Sequence, residues 1–325
     1  MVAMDVLVTG AAGFIGSHLC ERLIGRGDRV TGFDNFDSFY PRFVKERNLA
    51  GLRRNRAFRF FEGDLTDPHD IGAALDAAGR VDVVVHLAAL PGVHSSIKNP
   101  QRTWAVNLTG SLHLFSIGRG RGIDRFVFAS SSSVYGRESQ IPFNEREPCG
   151  RPLSPYAASK RSGELLAFNE HHLYGSSFTC LRLFTAYGPR QRPDLAIHKF
   201  TRLIADDQPV ELFGEDSSRD YTWIDDIIDG VVAAIDQQAK AASPSYRIYN
   251  LGGSRPIGLK GLVDRIAGAL GKNARIEWQP ELPGDTPHTL ADIELAQREL
   301  GYLPKISIDQ GIPRFVAWWR AENGR

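Results

Sequence analysis

Cysteine is scarce: three in 325 residues, at positions 20, 149 and 180, with no CxxC spacing. That gives no basis for a disulfide framework and fits a reducing compartment. Net charge is nearly absent, +1 at pH 7 from 39 basic and 38 acidic residues. Neither nucleic acid nor a membrane surface is therefore expected as the main partner. No apolar run approaches the length of a transmembrane helix. The opening MVAMDVLVTG passes straight into a strand pattern without the regions of a signal peptide. A cytoplasmic protein is the expectation. The nine histidines form no HExxH, the pair His171 and His172 points to different helix faces, and no metal site is expected. A GxSxG elbow is missing too, so a serine hydrolase lacks its key turn. Internal repeats and low-complexity segments are likewise wanting.

What is present is a rhythm. Residues 5–9, 29–33, 58–62, 81–87, 126–130 and 178–184 are short apolar runs without strict alternation. Such runs suit strands of a parallel sheet covered on both faces. Helical patterns fall between them at 14–26, 71–78, 104–119 and 156–174. The alternation predicts an α/β fold, a doubly wound parallel (Rossmann) sheet. After residue 184 prolines punctuate shorter elements, with helices expected at 224–237, 259–270 and 308–321. The expected organisation is a Rossmann domain over 1–184 and a smaller C-terminal substrate-binding lobe over 185–325, with some interleaving of chain. The basic run LRRNRAFRF reads as a solvated connection rather than a polyanion site.

Gly10, Gly13 and Gly16 lie between the first strand and the first helix. In that context glycines permit a tight turn, close approach to a pyrophosphate and a helix N-terminus aimed at its charge. The second strand ends in Asp34, placed to accept hydrogen bonds from a ribose diol and to repel a 2′-phosphate, which favours NAD over NADP. Asp64, in EGDLTD, is offered to an adenine edge. Leu87, Ala88 and Ala89, in HLAAL, supply small residues where a flat ring could pass.

Two further stretches carry chemistry. Ser130 to Ser133 end a strand at the carboxyl edge of the sheet, where doubly wound folds bind ligands. In SPYAASK, Pro155 favours a helix start, which puts Tyr156 and Lys160 one turn apart on one face. An ammonium beside a phenol lowers its pKa and makes it a base near neutrality. Alone, the same spacing also suits an exposed helix surface.

Together, TGAAGFIG, DLTD, HLAAL, the serines before VYG and SPYAASK resemble the extended short-chain dehydrogenase/reductase family, and within it the NAD-dependent nucleotide-sugar epimerases. The resemblance runs from Val6 to about Trp319 and includes GPRQRPD, ELFGEDSSRDYTWIDDII, YNLGGS and PGDTPHTLAD. It implies a hidden redox cycle with a tightly bound NAD. Tyr156 takes the proton of the sugar 4-hydroxyl, and Ser131 bonds the same oxygen with Ser132 beside it in the catalytic set. Lys160 lowers the tyrosine's pKa and contacts the nicotinamide ribose, and Tyr156 is also counted among the coenzyme contacts. The 4-keto sugar then turns over before reduction on its other face. The resemblance extends the coenzyme contacts to Phe14, Ile15, Asn35, Leu65 and Asn107. It implies substrate contacts from Val93, Ser131, Ser132, Ser133, Thr185, Arg192, Phe213, Arg219 and Asp285, and a homodimer.

Similar dehydratases carry an Asp-Glu pair after the serine or threonine, and decarboxylases a Glu just before VYG; here stand Ser132 and Ser133. That favours epimerisation. GPxxRPD, with Arg192, looks like UDP-glucuronate 4-epimerases, where a guanidinium would meet the C6 carboxylate. Arg190 shares that loop, and both arginines are open to the alternative of pairing with phosphate or with acids of the protein. Thr185 stands where UDP-glucose epimerases tend to have asparagine. Two residues depart from the pattern: Leu282 replaces a phosphate-binding arginine of many relatives, and His94 replaces an arginine common in similar uronate epimerases. The competing functions are a UDP-glucose or N-acetylhexosamine 4-epimerase, a UDP-sugar decarboxylase or dehydratase, and an NAD-binding scaffold without chemistry.

Overall fold

Strand-length runs of Val, Leu and Phe without polar alternation need cover on both faces. The computed structural model, which describes residues 3–281, 284 and 286–325, supplies that cover. The chain begins β1 (Asp5–Thr9), α1 (Phe14–Gly25), β2 (Arg29–Asp34), α2 (Arg42–Leu49), β3 (Phe58–Glu62) and α3 (Pro68–Ala78). It continues with β4 (Val83–His86), α4 (Val93–Lys98), α5 (Pro100–Trp104), α6 (Gly110–Gly120), β5 (Arg125–Ser131), α7 (Pro155–Tyr174) and β6 (Ser177–Leu183). Then come β7 (Thr185–Tyr187), α8 (Ala196–Ala205), β8 (Val210–Phe213), β9 (Ser218–Trp223), α9 (Ile224–Lys240) and β10 (Tyr246–Leu251). The last elements are β11 (Pro256–Gly258), α10 (Leu259–Leu270), β12 (Ile276–Gln279), α11 (Glu294–Leu300) and α12 (Ile308–Asn323).

Seven strands form one sheet in the order β10-β6-β5-β4-β1-β2-β3, every neighbouring pair parallel. The pleat sends alternate side chains into two cores. Val6, Val8, Val83, Val85 and Val127 enter one, and Leu7, Val84, Phe126 and Phe128 the other. Chain order reverses at β1, with β2 on one side and β4 on the other. The crevice at the carboxyl ends of these strands is where such sheets bind ligands.

All six sequence-predicted strands form, with ends shifted by no more than two residues. Three differences matter for the site. The predicted helix over 104–119 is built as α5, a π-turn over Ala105–Thr109, and α6. The short α2, unread in the sequence, follows β2 and turns Lys45 inward. β10, far beyond residue 184, forms the edge of the sheet beside β6, and α9 packs on α1. The rest of the later chain builds two small sheets, β11-β9-β7 and β12-β8, with α8 and α12 packed on α10. Among the described residues no helix is long and apolar enough to cross a membrane.

Candidate active site

The crevice holds a cavity of about 370 Å³ bounded by the ends of β1, β2, β4 and β5 and by the first turn of α7. One end begins at the glycine turn. Gly10 has φ +72°, and a Cβ there would lie 2.8 Å from the Ala88 amide nitrogen. A Cβ on Gly16 would overlap the Gly10 carbonyl oxygen. The turn thus packs α1 hard against β1 and β4, as only glycine allows. Gly13, the N-cap, offers no side-chain acceptor, and the first turn of α1 has no acid. Its amides therefore lack intrahelical partners beside the cavity lined by Gly13, Phe14, Ile15 and Gly16. That donor set fits a pyrophosphate, and the residues around it fit the rest of NAD.

Next along the cavity is Asp34, buried at the end of β2. It accepts the amides of Ala12 (3.2 Å) and Phe36 (2.8 Å) and faces the Lys45 ammonium at 3.3 Å. The sequence reading missed Lys45. Its signal was available, because Lys45 lies four residues before Leu49 on the buried face of α2. Asn35 donates to Asp64 at 2.8 Å. Burial works to raise the Asp64 carboxyl, but the Thr66 amide and hydroxyl and the Asn35 amide outweigh it and hold the group below its ordinary value. Leu65, Leu87, Ala88 and Ala89 wall the cavity here.

Asn107 is not among the cavity's lining residues. Its side chain accepts the Leu90 amide (2.7 Å) and donates to the Leu90 carbonyl and to Ser159. The amide is thus spent in shaping the loop after β4. A second chain of bonds holds the same loop. Ser111 gives its proton to the Asn107 carbonyl, so it accepts from Nε2 of His86; Nδ1 then accepts from Thr9, whose oxygen takes the Ala88 amide. Burial, then the charge of Lys160, pushes His86 down to about 3, so it is neutral.

The other end carries Ser131, Ser132, Ser133, Tyr156, Lys160, Thr185, Val93 and Arg192. Ser154 caps α7 by accepting the Ala157 amide at 3.1 Å, and Pro155 takes the first helical position. The Tyr156 amide donates to Ser96 at 3.0 Å. Tyr156 and Lys160 therefore enter the cavity one turn apart. Lys160 directs Nζ to the Ala129 carbonyl at 2.7 Å, and burial lowers it to about 8. Burial raises the Tyr156 phenol above its ordinary value. The Ser131 hydroxyl and the Arg192 guanidinium pull it back. The Lys160 ammonium donates to the backbone of β5.

Arg192 faces the cavity, with its guanidinium 5.1 Å above the Phe39 ring and paired with Asp194 by two bonds of 3.0 and 2.8 Å. Arg190 points away, to Glu21 and His18 of α1. Phe213 and Arg219 also lie outside the cavity lining. Phe213 ends β8 opposite Gln279, and Arg219 on β9 donates to the Pro287 carbonyl at 2.7 Å. Asp285 and Leu282 fall outside the described residues. The carboxylates among the described lining residues, Asp34, Asp37 and Asp64, all belong to the β2 and β3 end.

A probable UDP-glucuronate 4-epimerase of Rhizobium meliloti is 36% identical over 336 residues, with 97% of each chain covered. The crystal structure of a UDP-glucuronic acid 4-epimerase from Bacillus cereus, in complex with UDP-glucuronic acid and NAD, matches with a TM-score of 0.91 at 35% identity, covering 98% of this chain and 100% of that one. A UDP-glucose 4-epimerase of Thermotoga maritima, with UDP-glucose, matches at 0.88 and 29% identity, covering 98% and 100%. The model of the NAD dependent epimerase/dehydratase family matches residues 6–252, and with this glycine turn, serine strand end and Tyr-Lys pair in one crevice, the chain belongs to that family.

Proposed function

We propose that this protein is an NAD-dependent isomerase that inverts C4 of a UDP-sugar, interconverting UDP-glucuronate and UDP-galacturonate. The observation that carries the reading is the meeting of Tyr156, Ser131 and Lys160 in the cavity that starts at the Gly10–Gly16 turn. NAD, when bound there, supplies a nicotinamide that takes the C4 hydrogen with its electron pair and later gives it back. The protein's own part is proton transfer and positioning. Tyr156 accepts the 4-hydroxyl proton as the 4-keto sugar forms and returns it when the sugar is reduced. Ser131 donates to the same oxygen and steadies the growing carbonyl. Lys160 is held by the Ala129 carbonyl one helical turn from the tyrosine. Asp34 takes the adenosine ribose.

Loss of water or carbon dioxide needs acid-base groups beside the sugar. Among the described lining residues no carboxylate lies at the Ser131–Tyr156 end, which supports epimerisation over elimination. The uronate assignment rests on Arg192, with Thr185 and the Ser132 and Ser133 hydroxyls around the C6 carboxylate. We assign the uridine end to the later lobe, with Phe213 and Arg219. Plain UDP-glucose epimerisation is the second reading, favoured by the fact that Arg192 already has a carboxylate partner in Asp194. The two are separated by supplying the NAD-loaded protein with each sugar and resolving products by mass and proton NMR. UDP-glucuronate is expected to give an isomer of unchanged mass with its C4 proton inverted. A UDP-pentose product would move the protein to the decarboxylases, and turnover of UDP-glucose alone would remove the uronate assignment.

The three cysteines are buried free thiols, in keeping with a cytoplasmic setting. Leu112 of α6 and Leu165 and Phe168 of α7 are exposed. Leaving such apolar side chains on adjacent helices fits burial against a second copy. A homodimer of the 36.0 kDa chain follows, and a monomer mass in sedimentation equilibrium at working concentration would exclude it.

A further inference from the structure

The loop after β7 is tied to α1 just before Arg192. The Pro189 carbonyl meets the His18 ring at 2.9 Å, and Arg190 grips Glu21 with two bonds of 2.9 and 2.6 Å. Arg190 holds φ +63°, a left-handed backbone that L-residues adopt only when their surroundings enforce it. The Leu195 amide closes a turn onto the Arg192 carbonyl at 3.2 Å. These contacts hold the loop that carries Arg192. Its guanidinium side chain is 15% exposed, whereas that of Asp194 is 43% exposed. The more exposed member of the pair is the acid.

We propose that Asp194 is the resident counter-ion of Arg192, and that the enzyme binds a sugar acid by carboxylate exchange, the C6 carboxylate taking the guanidinium edge that Asp194 vacates. The inference rests on the uronate reading above. Two carboxylates cannot both hold one bidentate edge, because the fork presents one matched pair of N–H groups there. Like charges brought that close also repel. Asp194 has water to swing into; the sugar carboxylate, held among Thr185 and the serines, does not. A sugar with a neutral C6 group offers nothing that displaces Asp194, so Arg192 stays neutralised and contributes little to its binding. The pair thus spares the cavity an unpaired cation, which would be costly on its own, at the expense of some affinity for the sugar acid.

The test uses the NAD-loaded Tyr156→Phe protein, in which turnover is strongly slowed, and reads dissociation constants for UDP-glucuronate and UDP-glucose by calorimetry. Adding Asp194→Asn removes the competitor. It is expected to tighten UDP-glucuronate by about 5-fold, the range of a part-exposed ion pair, and to leave UDP-glucose within about 2-fold. Asp194→Ala should act in the same direction, and Asp194→Glu should restore the original ratio. Weaker UDP-glucuronate binding in Asp194→Asn would overturn the proposal, since Asp194 would then orient Arg192 rather than compete for it; equal changes for both sugars, or none, would overturn it as well. An Arg192→Ala arm separates the two levels of argument. Equal loss for both sugars there defeats the uronate reading itself, whereas selective loss for UDP-glucuronate with an unresponsive Asp194 defeats only the exchange.

Discussion

Replacing Tyr156 by phenylalanine is expected to lower kcat for UDP-glucuronate by ~10²–10⁴-fold, the span of a lost general base, while the protein still carries its coenzyme. The substitution removes one oxygen. It leaves the α7 start intact, because Ser154 and Pro155 set that, and it leaves the glycine turn untouched. Coenzyme content read by absorbance after denaturation should match the parent. The pH profile gives a second readout. Burial raises the phenol, so at a given pH more of it keeps its proton than an exposed tyrosine would. The base form therefore grows as pH rises, and parent kcat should climb through the neutral range toward alkaline pH. Tyr156→Phe should flatten that climb. Arg192→Ala should move it to higher pH, because a cation that pulls the phenol down is gone. Retained turnover in Tyr156→Phe with an unchanged profile would show that another group takes the 4-hydroxyl proton.

The parts of the site legible in the sequence are those whose chemistry is local. Gly10, Gly13 and Gly16 answer a steric demand of one turn, Asp34 ends one strand, and Tyr156 and Lys160 share one helical face. Their spacing alone brings them to the carboxyl edge once the βαβ rhythm is read. What the sequence left out depends on partners distant in the chain. Asn107 carries an amide that reads as a ligand contact, yet Leu90 and Ser159 consume it. Lys45 reads as one more surface base until α2 folds it onto Asp34. Arg192, which also bears on the acidity of Tyr156, comes from the loop after β7, far from it in the chain. β10 was lost in a proline-rich stretch because its place in the sheet is decided by β6 alone. In each case a single-segment pattern is silent about which long-range partner claims a polar group.

Removing the carboxylate of Glu164 is expected to cost roughly 3–5 kcal/mol of stability, the range for breaking one side of a buried ion pair. Glu164 and Arg182 are both buried and meet by two bonds of 2.9 Å. Ser130 donates to the same carboxylate at 2.6 Å and Arg161 at 2.8 Å, while Arg182 also reaches the Tyr135 hydroxyl at 2.9 Å. Glu164→Ala would leave the Arg182 cation inside the protein with only part of its shell. A lower denaturant midpoint at unchanged slope would report this. Changing both partners, Glu164→Leu with Arg182→Leu, should cost less than Glu164→Ala, because no buried charge remains. The sign of the pH effect follows from the shift. Burial alone would raise the Glu164 carboxyl, but Arg182, Ser130 and Arg161 together hold it below its ordinary value of 4.5. Its contribution is therefore complete above pH 4.5 and is lost as pH falls through the lower folded value. Glu164→Ala should flatten that acid limb. The network also braces the residue before Ser131 against α7, which carries Tyr156 and Lys160. A substitution that only loosened the core would weaken stability and leave kcat alone. Glu164→Ala should lower both, because the serine strand end and the tyrosine helix are registered against each other through that one carboxylate.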